Sequence, residues 1–235
     1  MKKILLCLMA LFVLSSISAS EFERLKMVEG RGIKNADLYY NLGVTYWQIG
    51  QSGMANLYFL KALNLDSAHK SAKENLNYAI ALSPDREIYP QRGFLLRLFY
   101  EIYDFMNLNR IAALSLVLLV ISAILLSWTL HYNPQKERDL PILILSISLF
   151  LLIVSSAFLS VKAYRQIHNS KAVLLIEQAE LREEADLDSK RVAVIHEGII
   201  MDIIDCDGDW LLLQLPDGNS GWLEAAAIGR VVEKY

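Results

Sequence analysis

The C-terminal part of the chain contains the side chains whose types and spacing could do chemistry. Ser220 lies in Gly-Asn-Ser-Gly, and a serine becomes a nucleophile when a neighbouring base such as histidine activates it. The strained turn that presents a nucleophilic serine has the form Gly-x-Ser-x-Gly, but Trp222 stands where the second glycine is required. His196 is the single histidine after residue 170, and nothing in the sequence places it beside Ser220. The sequence therefore predicts no catalytic site here.

Acidic residues alternate in Asp-Cys-Asp-Gly-Asp, where Asp205, Asp207 and Asp209 resemble the first ligands of a calcium loop. Such a loop needs glycine at its sixth position and glutamate at its twelfth, and these positions are Trp210 and Pro216. We therefore expect a solvated hairpin turn and no metal.

The composition indicates a membrane protein. The chain has 235 residues, 54% of them hydrophobic, and its mean hydropathy is +0.31, which is more apolar than a soluble domain. The net charge is −3 without a lysine- or arginine-rich tract, so the basic surface that nucleic-acid binding needs is excluded. Of the two cysteines, Cys7 lies in a segment expected to be removed. Cys206 then has no partner for a disulfide or a redox pair.

The first residues, MKKILLCLMALFVLSSISAS, combine two lysines, an apolar run and small residues at Ala19 and Ser20. This order is typical of a secretory signal peptide, which we expect to cover residues 1–19. Cys7 stands at the start of the apolar run, where lipoprotein cleavage would leave almost no signal core. A lipid anchor at Cys7 is therefore not expected.

Two later apolar runs are each long enough to cross a bilayer as a helix. They cover residues 111–132 and 140–161, and a short loop of residues 133–139 joins them. So short a chain could not wrap two helices that are apolar on every face. The sequence therefore predicts a transmembrane hairpin.

Two criteria for the orientation of this hairpin disagree. The loop has two basic residues, Lys136 and Arg138, and the outer flanks have six. By charge alone the loop would lie outside the cytoplasm. An N-terminal signal exports the chain that follows it, which gives the reverse orientation. Because the signal acts before the later charges are reached, we expect both soluble parts on the extracytoplasmic side of a bacterial cytoplasmic membrane.

Residues 88–110, just before the first span, are rich in phenylalanine, leucine and tyrosine with charges interspersed. Two alternatives are open for this juxtamembrane segment. It lies in the headgroup plane of the membrane, or it forms a soluble amphipathic helix packed on the preceding domain.

Residues 36–67 have helical spacing on both sides of a break at Gly50, and the pattern resembles the tetratricopeptide repeat. We place this helical domain at residues 20–87, with Ser67 in place of the usual final proline. The large aromatic, Leu-Gly and small-residue positions of the repeat are filled by Tyr39, Leu42, Gly43, Tyr46, Ala55, Phe59 and Ala62.

One repeat with a partial helix on each side is a small unit, because repeats bury their core against neighbours. We therefore expect it to lean on the membrane segment or on a partner. Helix pairs of this type bind partners with the inner helix, which would expose Tyr40, Asn41, Val44 and Gln48. The alternative is that these four side chains pack on the helix near residues 20–30.

Residues 170–235 contain short strand-like runs separated by Glu-Gly and Asp-Gly turn signals, which predict a β-barrel of about 60 residues. The arrangement resembles the bacterial SH3-like domain. The residues that carry the resemblance are Gly198, Trp210, Pro216, Asp217, Gly218, Gly221, Trp222 and Leu223.

The two tryptophans of this domain have different expected roles. We expect Trp222, which follows Gly221, to pack in the core of the barrel. Trp210 is the better candidate for contact with a peptide or a glycan, because it stands beside the loops.

The fold class is thus a multi-domain membrane protein with a tetratricopeptide-like helical unit, a two-helix transmembrane hairpin and a small all-β SH3-like barrel. This order resembles the BatE-type proteins of bacterial aerotolerance (Bat) operons. The resemblance implies a membrane protein associated with oxidative or envelope stress. It also implies partners among Bat proteins with von Willebrand factor A domains and a MoxR-type AAA+ ATPase.

We therefore expect a non-enzymatic membrane scaffold without cofactors. The alternative is a cell-wall-targeting module whose SH3-like domain binds peptidoglycan or its peptides.

Overall fold

The computed structural model describes residues 21–90, 93–131 and 139–232. The expected signal peptide at residues 1–19 and residues 133–138 of the expected loop lie outside these ranges. The described residues form two compact units. The helix–barrel unit combines the residues up to Gly93 with those from Asn169 onward, and the hairpin unit contains Phe94–His168.

Four helices make up the first part of the helix–barrel unit. They are α1, seen over residues 21–30, α2 (Ala36–Gln48), α3 (Ser52–Leu65) and α4 (Lys70–Leu82). The side-chain oxygen of Asn35 accepts the N–H groups of Asp37 and Leu38 at 2.8 and 3.1 Å, which fixes the start of α2. A 3₁₀ turn, Arg86–Ile88, follows α4.

Helices α2 and α3 form the repeat that the sequence predicts. A Cβ atom on Gly43 would lie 2.6 Å from the ring of Phe59, so the two helices approach too closely for any larger residue. Leu42, Ala55 and Phe59 are fully buried between them. The small and aromatic positions of the motif therefore have the packing roles that their types indicate.

Helix α1 is held on this repeat by a polar cluster and an aromatic contact. The ammonium of Lys26 donates to Glu29 and to the hydroxyl of Tyr58 at 3.1 and 2.8 Å, and Tyr58 donates to Glu29 at 2.7 Å. Burial opposes the charge of Lys26, but these hydrogen bonds outweigh it and raise the pKa of the ammonium. The ring of Phe22 meets Tyr46 edge-on at 5.2 Å.

Seven antiparallel strands form the second part of the same unit, in the order β3-β2-β6-β5-β4-β1-β7. The strands are β1 (Lys171–Leu174), β2 (Gln178–Arg182), β3 (Arg191–His196), β4 (Ile200–Asp207), β5 (Trp210–Gln214), β6 (Ser220–Glu224) and β7 (Ile228–Arg230). Register shifts in β2 and β4 bend the sheet. Its inner side chains, such as Leu181, Ile195 and Leu213, are fully buried.

The helical part packs on the barrel, which corrects the expectation that it leans on the membrane segment or on a partner. Helix α3 buries residues around its whole circumference, so one neighbouring helix cannot cover it. Besides α2 and α4, its neighbours are β1 and β7. Leu57 of α3, Val173 of β1 and Ile200 of β4 belong to one continuous core. The two soluble parts are therefore a single body and not two domains on a linker.

The hairpin unit contains α5 (Phe94–Asp104), α6 (Leu108–His131) and α7 (Asp139–Ile167). Helices α6 and α7 are long and apolar enough to cross a membrane. Few of their residues are buried, which distinguishes them from the core helices of a soluble protein. Buried serines join the two helices: Ser115 donates to Ser155 at 3.0 Å, and Ser122 bonds Ser148 at 2.8 Å.

We predict that Gly53→Ala destabilises the helix–barrel unit. A Cβ atom on Gly53 would lie 2.5 Å from the backbone oxygen of Leu174 in β1, so α3 must move away from the barrel. Overpacking of this kind lowers the free energy of unfolding by about 1–3 kcal/mol. The measurement is denaturant unfolding of the purified protein in detergent.

Gly30→Ala is the matched control, because no atom lies within 4 Å of a Cβ built there. It is expected to leave the free energy of unfolding unchanged or slightly raised, since alanine favours helix. Equal stability of the two variants would contradict the packing of α3 on β1.

Candidate functional site

The turn between β3 and β4 docks on the N-terminal end of α3. The side-chain amide of Asn56 donates to the carbonyl of Gly198 at 2.8 Å, and the side chain of Glu197 accepts the N–H of Gly53 at 2.7 Å. Gly198 has a φ of 87°, and a Cβ atom there would lie 2.9 Å from the amide nitrogen of Asn56. The glycine that marks the barrel motif is thus also required for contact with the repeat.

A second set of hydrogen bonds ties the segment after α4 to the barrel. Asp85 is only 6% exposed and accepts the backbone N–H of His196 at 2.7 Å. The Nδ1 atom of the same histidine lies 2.9 Å from the other carboxylate oxygen. The hydroxyl of Tyr89 accepts the N–H of Ile200 at 2.9 Å. Burial raises the pKa of Tyr89 to about 12, and the charge of Asp85 also raises it.

These contacts give His196 a structural role. Its ring bonds Asp85, whereas Ser220 is exposed and pairs with Gln214 in the β5–β6 ladder. Asp205, Asp207 and Asp209 are exposed on the β4–β5 hairpin, and the free thiol of Cys206 is exposed beside them. Within 21–90, 93–131 and 139–232, no three acidic, histidine or cysteine side chains converge to hold a metal.

The helical part exposes a surface where α2 meets α4, here called the α2–α4 face and formed by Tyr40, Val44, Trp47, Asn75 and Tyr78. The rings of Trp47 and Tyr78 meet edge-on at 6.2 Å. The amide of Asn75 donates to the hydroxyl of Tyr40 at 3.5 Å. Tyr78 is 60% exposed, so this face offers aromatic surface to a partner.

The four partner-binding residues predicted on α2 lie at or beside this face. Asn41 and Gln48 are exposed, and Tyr40 and Val44 are half buried. The ring of Tyr40 contacts that of His69, just before α4, at a centroid distance of 4.9 Å and a tilt of 38°. Tyr40 therefore contacts the segment leading into α4, and partner binding by the four residues stays a prediction.

Sequence reasoning missed Trp47 and Tyr78, which complete the α2–α4 face. The spacing of Tyr40, Val44 and Trp47 continues one helical stripe and could have included Trp47. Tyr78 lies on the partial helix α4, at an exposed position that the buried positions of the repeat motif do not reveal.

The barrel exposes a second surface, here called the tryptophan face and formed by Trp210, Leu212 and Trp222. Leu212 pairs directly with Trp222, and Trp210 pairs with Glu224 on the same side of the sheet. These residues alternate with Leu211, Leu213, Gly221 and Leu223, which are buried. The expectation that Trp222 packs in the core is wrong, because its side chain leaves the sheet on the opposite side and is half buried there.

Carboxylates border the tryptophan face on one side. Asp207 pairs with Trp210 and Asp205 pairs with Leu212. On the other side, Arg182 pairs with Trp222 and donates to Glu180 at 2.8 Å. The face therefore combines aromatic surface with acidic groups, which suits ligands that carry amino groups next to an apolar or sugar ring.

Gly221 and Gly218 position the strand that carries Trp222. A Cβ atom on Gly221 would lie 2.9 Å from that of Leu181 and 3.0 Å from the backbone oxygen of Arg182, so β2 could not cross β6 there. Gly218 has a φ of 96° in the preceding turn. Both glycines of the predicted motif thus have steric reasons for their positions.

Two parts of the chain match known families. Residues 36–69 match the family model of the tetratricopeptide repeat, and residues 177–228 match that of the bacterial SH3 domain. No curated protein matches the chain. Domains of both types are typically non-catalytic interaction modules, and they suggest protein–protein interaction or cell-wall binding. The predicted combination of helical repeat and SH3-like barrel is therefore confirmed.

We predict that Tyr89→Phe weakens the hydrogen-bonded contact between the α4 segment and β4. The variant leaves the N–H of Ile200 without its phenolic acceptor, which costs about 1–3 kcal/mol of unfolding free energy. Because burial raises the pKa of Tyr89 from about 10 when unfolded to about 12 when folded, the unmodified protein loses stability as the pH rises from about 10 to about 12, and the variant lacks this loss at position 89. Denaturant unfolding measures both effects.

Tyr78→Phe is the matched control, because the Tyr78 side chain is exposed. The control is expected to unfold like the unmodified protein. A Tyr89→Phe variant that is equally stable, with the same pH profile, would contradict a stabilising role for this hydroxyl.

Proposed function

We propose that the protein is a non-enzymatic scaffold anchored in the bacterial cytoplasmic membrane, and that it holds partner proteins through the helix–barrel unit. One observation carries the proposal: a repeat and a barrel, both of interaction-module families, fold into one body that exposes two aromatic faces. The side chains that resemble catalytic groups either make structural contacts or are exposed in turns.

The side of the membrane that we propose for the helix–barrel unit follows from its being one body. The helix–barrel unit is built from chain segments before and after α6 and α7. These segments must therefore lie on one side of any membrane that the two helices cross. The N-terminal apolar segment with its two lysines supports the extracytoplasmic side. Bacterial SH3 domains are also often extracytoplasmic.

We further propose that the partners are Bat-type membrane proteins with von Willebrand factor A domains, linked to a MoxR-type ATPase. The order of signal segment, repeat, apolar hairpin and barrel supports this assignment, because it resembles the BatE-type proteins. The α2–α4 face is the proposed contact surface, since Tyr78 is exposed on it and Asn41 and Gln48 are exposed beside it, without being needed for the core.

We predict that Asn41→Arg combined with Gln48→Arg reduces co-purification of von Willebrand factor A-domain partners about tenfold or more. Two long charged side chains beside the α2–α4 face would obstruct a partner packed on it, where single residues contribute about 2 kcal/mol or more. The measurement is affinity purification of the tagged full-length protein from detergent-solubilised membranes, with quantitative detection of the partners. Point variants are preferable to deletion of the repeat, because deletion would also uncover the barrel.

The matched control for this experiment is Glu184→Arg, which reverses an exposed charge on the barrel, outside both faces. It is expected to retain the partners. If the double variant also retains them fully, the α2–α4 face is not the binding surface.

A second candidate function is cell-wall targeting, and the tryptophan face favours it. Half-buried aromatic rings beside carboxylates fit the sugar rings and the amino groups of peptidoglycan and its peptides. In this case the barrel would fix the helix–barrel unit to the cell wall, and the apolar hairpin would fix it to the membrane.

We predict for this alternative that full-length protein in detergent sediments with purified sacculi, and that Trp210→Ala abolishes most of the sedimentation. Loss of one stacking ring from a small site weakens the binding free energy by about 1–3 kcal/mol. Ile204→Ala, at an exposed apolar residue of β4, is the control and should sediment normally. Sedimentation that does not depend on Trp210 would exclude the tryptophan face.

A further inference from the structure

Helix α5 (Phe94–Asp104) separates its apolar and acidic residues onto different sides. Leu95 and Leu98 are three residues apart, as are Glu101 and Asp104. Asp104 follows Leu95 by nine residues, which places it about 180° around the helix at about 100° per residue. Position 97, an arginine, falls between Glu101 and Asp104 around the helix. The helix therefore has one apolar side and one charged side.

The apolar side of α5 is exposed. Leu95 is 78% exposed and Leu98 is 43% exposed, and Phe94 and Phe105 at the two ends are also largely exposed. A soluble amphipathic helix buries such a side on its own domain. These residues remain exposed on the hairpin unit, so no neighbour within the described part of that unit covers them.

The C-terminal end of α5 is tied to α7 at a defined position. The ammonium of Lys162 lies 4.7 Å from the ring centroid of Tyr103, and the guanidinium of Arg165 lies 5.4 Å from it. Lys162 also donates to the carbonyl of Met106. Phe158, one turn earlier on α7, has its ring centroid 6.3 Å from that of Tyr103.

This position is the boundary of the apolar layer that the hairpin spans. Lys162 is the first charged residue of α7 after the apolar run that ends at Val161, and Arg165 follows it. On α6, Arg110 is the last charged residue before the apolar run that begins at Ile111. Three residues, 105–107, connect α5 to α6. Helix α5 is thus held where both long helices leave the apolar layer.

We infer that α5 lies in the plane of the membrane surface, with its apolar side in the lipid boundary and its charged side toward water. The occupant of this apolar face is the lipid bilayer, because only three residues separate α5 from α6, whose apolar run begins at Ile111. Interfacial helices of this kind bury an apolar side at the boundary between headgroups and acyl chains. The inference rests on the proposed membrane-spanning role of α6 and α7.

Site-directed spin labelling of the full-length protein tests the position of α5. Cys7→Ser and Cys206→Ser remove the native thiols, and Leu95→Cys, Leu98→Cys and Asp104→Cys then each introduce one label site. The protein is reconstituted in liposomes of phosphatidylethanolamine and phosphatidylglycerol. Collision of each label is measured with oxygen, which concentrates in lipid, and with a water-soluble nickel complex.

The expected result is a several-fold higher ratio of oxygen to nickel collisions for the labels at 95 and 98 than for the label at 104. Labels at 95 and 98 that collide with nickel as often as the label at 104 would place α5 in water. Labels shielded from both reagents would place this side against protein. Either outcome overturns the inference.

A fourth label, Leu119→Cys at the middle of α6, separates failure of this inference from failure of the proposed function. Leu119 is exposed on the hairpin unit. An oxygen-rich label at 119 with a water-exposed label at 95 would retain the spanning hairpin and reject the interfacial helix. A water-exposed label at 119 would reject both.

Discussion

The burial of helix α3 is the constraint on which the rest of the helix–barrel unit depends. Helices α2 and α4 pack on α3, but α3 buries side chains around its whole circumference, among them Leu57, Phe59 and Ala62. Without the barrel, one side of α3 would lie in water, with a loss of about 25 cal/mol for each Å² of apolar surface left exposed. The barrel covers that side, and this contact makes a lone repeat stable without the about three copies that repeat arrays usually need.

Polar contacts define the orientation of this packing. Apolar surfaces alone tolerate sliding, whereas Asn56, Asp85 and Glu197 each bond a backbone group across the boundary at 2.7–2.8 Å. Each of these bonds would leave a buried group unpaired if the boundary shifted. The α2–α4 face and the tryptophan face are therefore presented in a fixed relation. That arrangement suits a scaffold better than two modules on a flexible linker would.

Local sequence patterns were sufficient to predict the repeat helices and the barrel turns. Tyr39, Gly43 and Phe59 have the spacing of the repeat, Gly218 and Gly221 have that of the barrel turns, and each occupies the expected kind of position in the structure. The patterns failed for Trp222, because a Gly-Trp pair after a turn does not reveal on which side of a strand the ring leaves the sheet. Strand β2 is also hard to recognise, because its mixed polar sequence, Gln178–Arg182, lacks an apolar run.

The contact between repeat and barrel was harder to predict, for a physical reason. Asn56 and Gly198 are 142 positions apart in the chain, and no local periodicity links residues across two apolar helices. One sign was nevertheless present in the sequence. The run Leu57-Tyr58-Phe59-Leu60 places large apolar side chains on every side of α3, which a helix in a two-layer arrangement does not do. A repeat helix with that composition requires a third layer packed against it. The SH3-like barrel is the other domain with a core that the sequence predicts, so it could supply this layer.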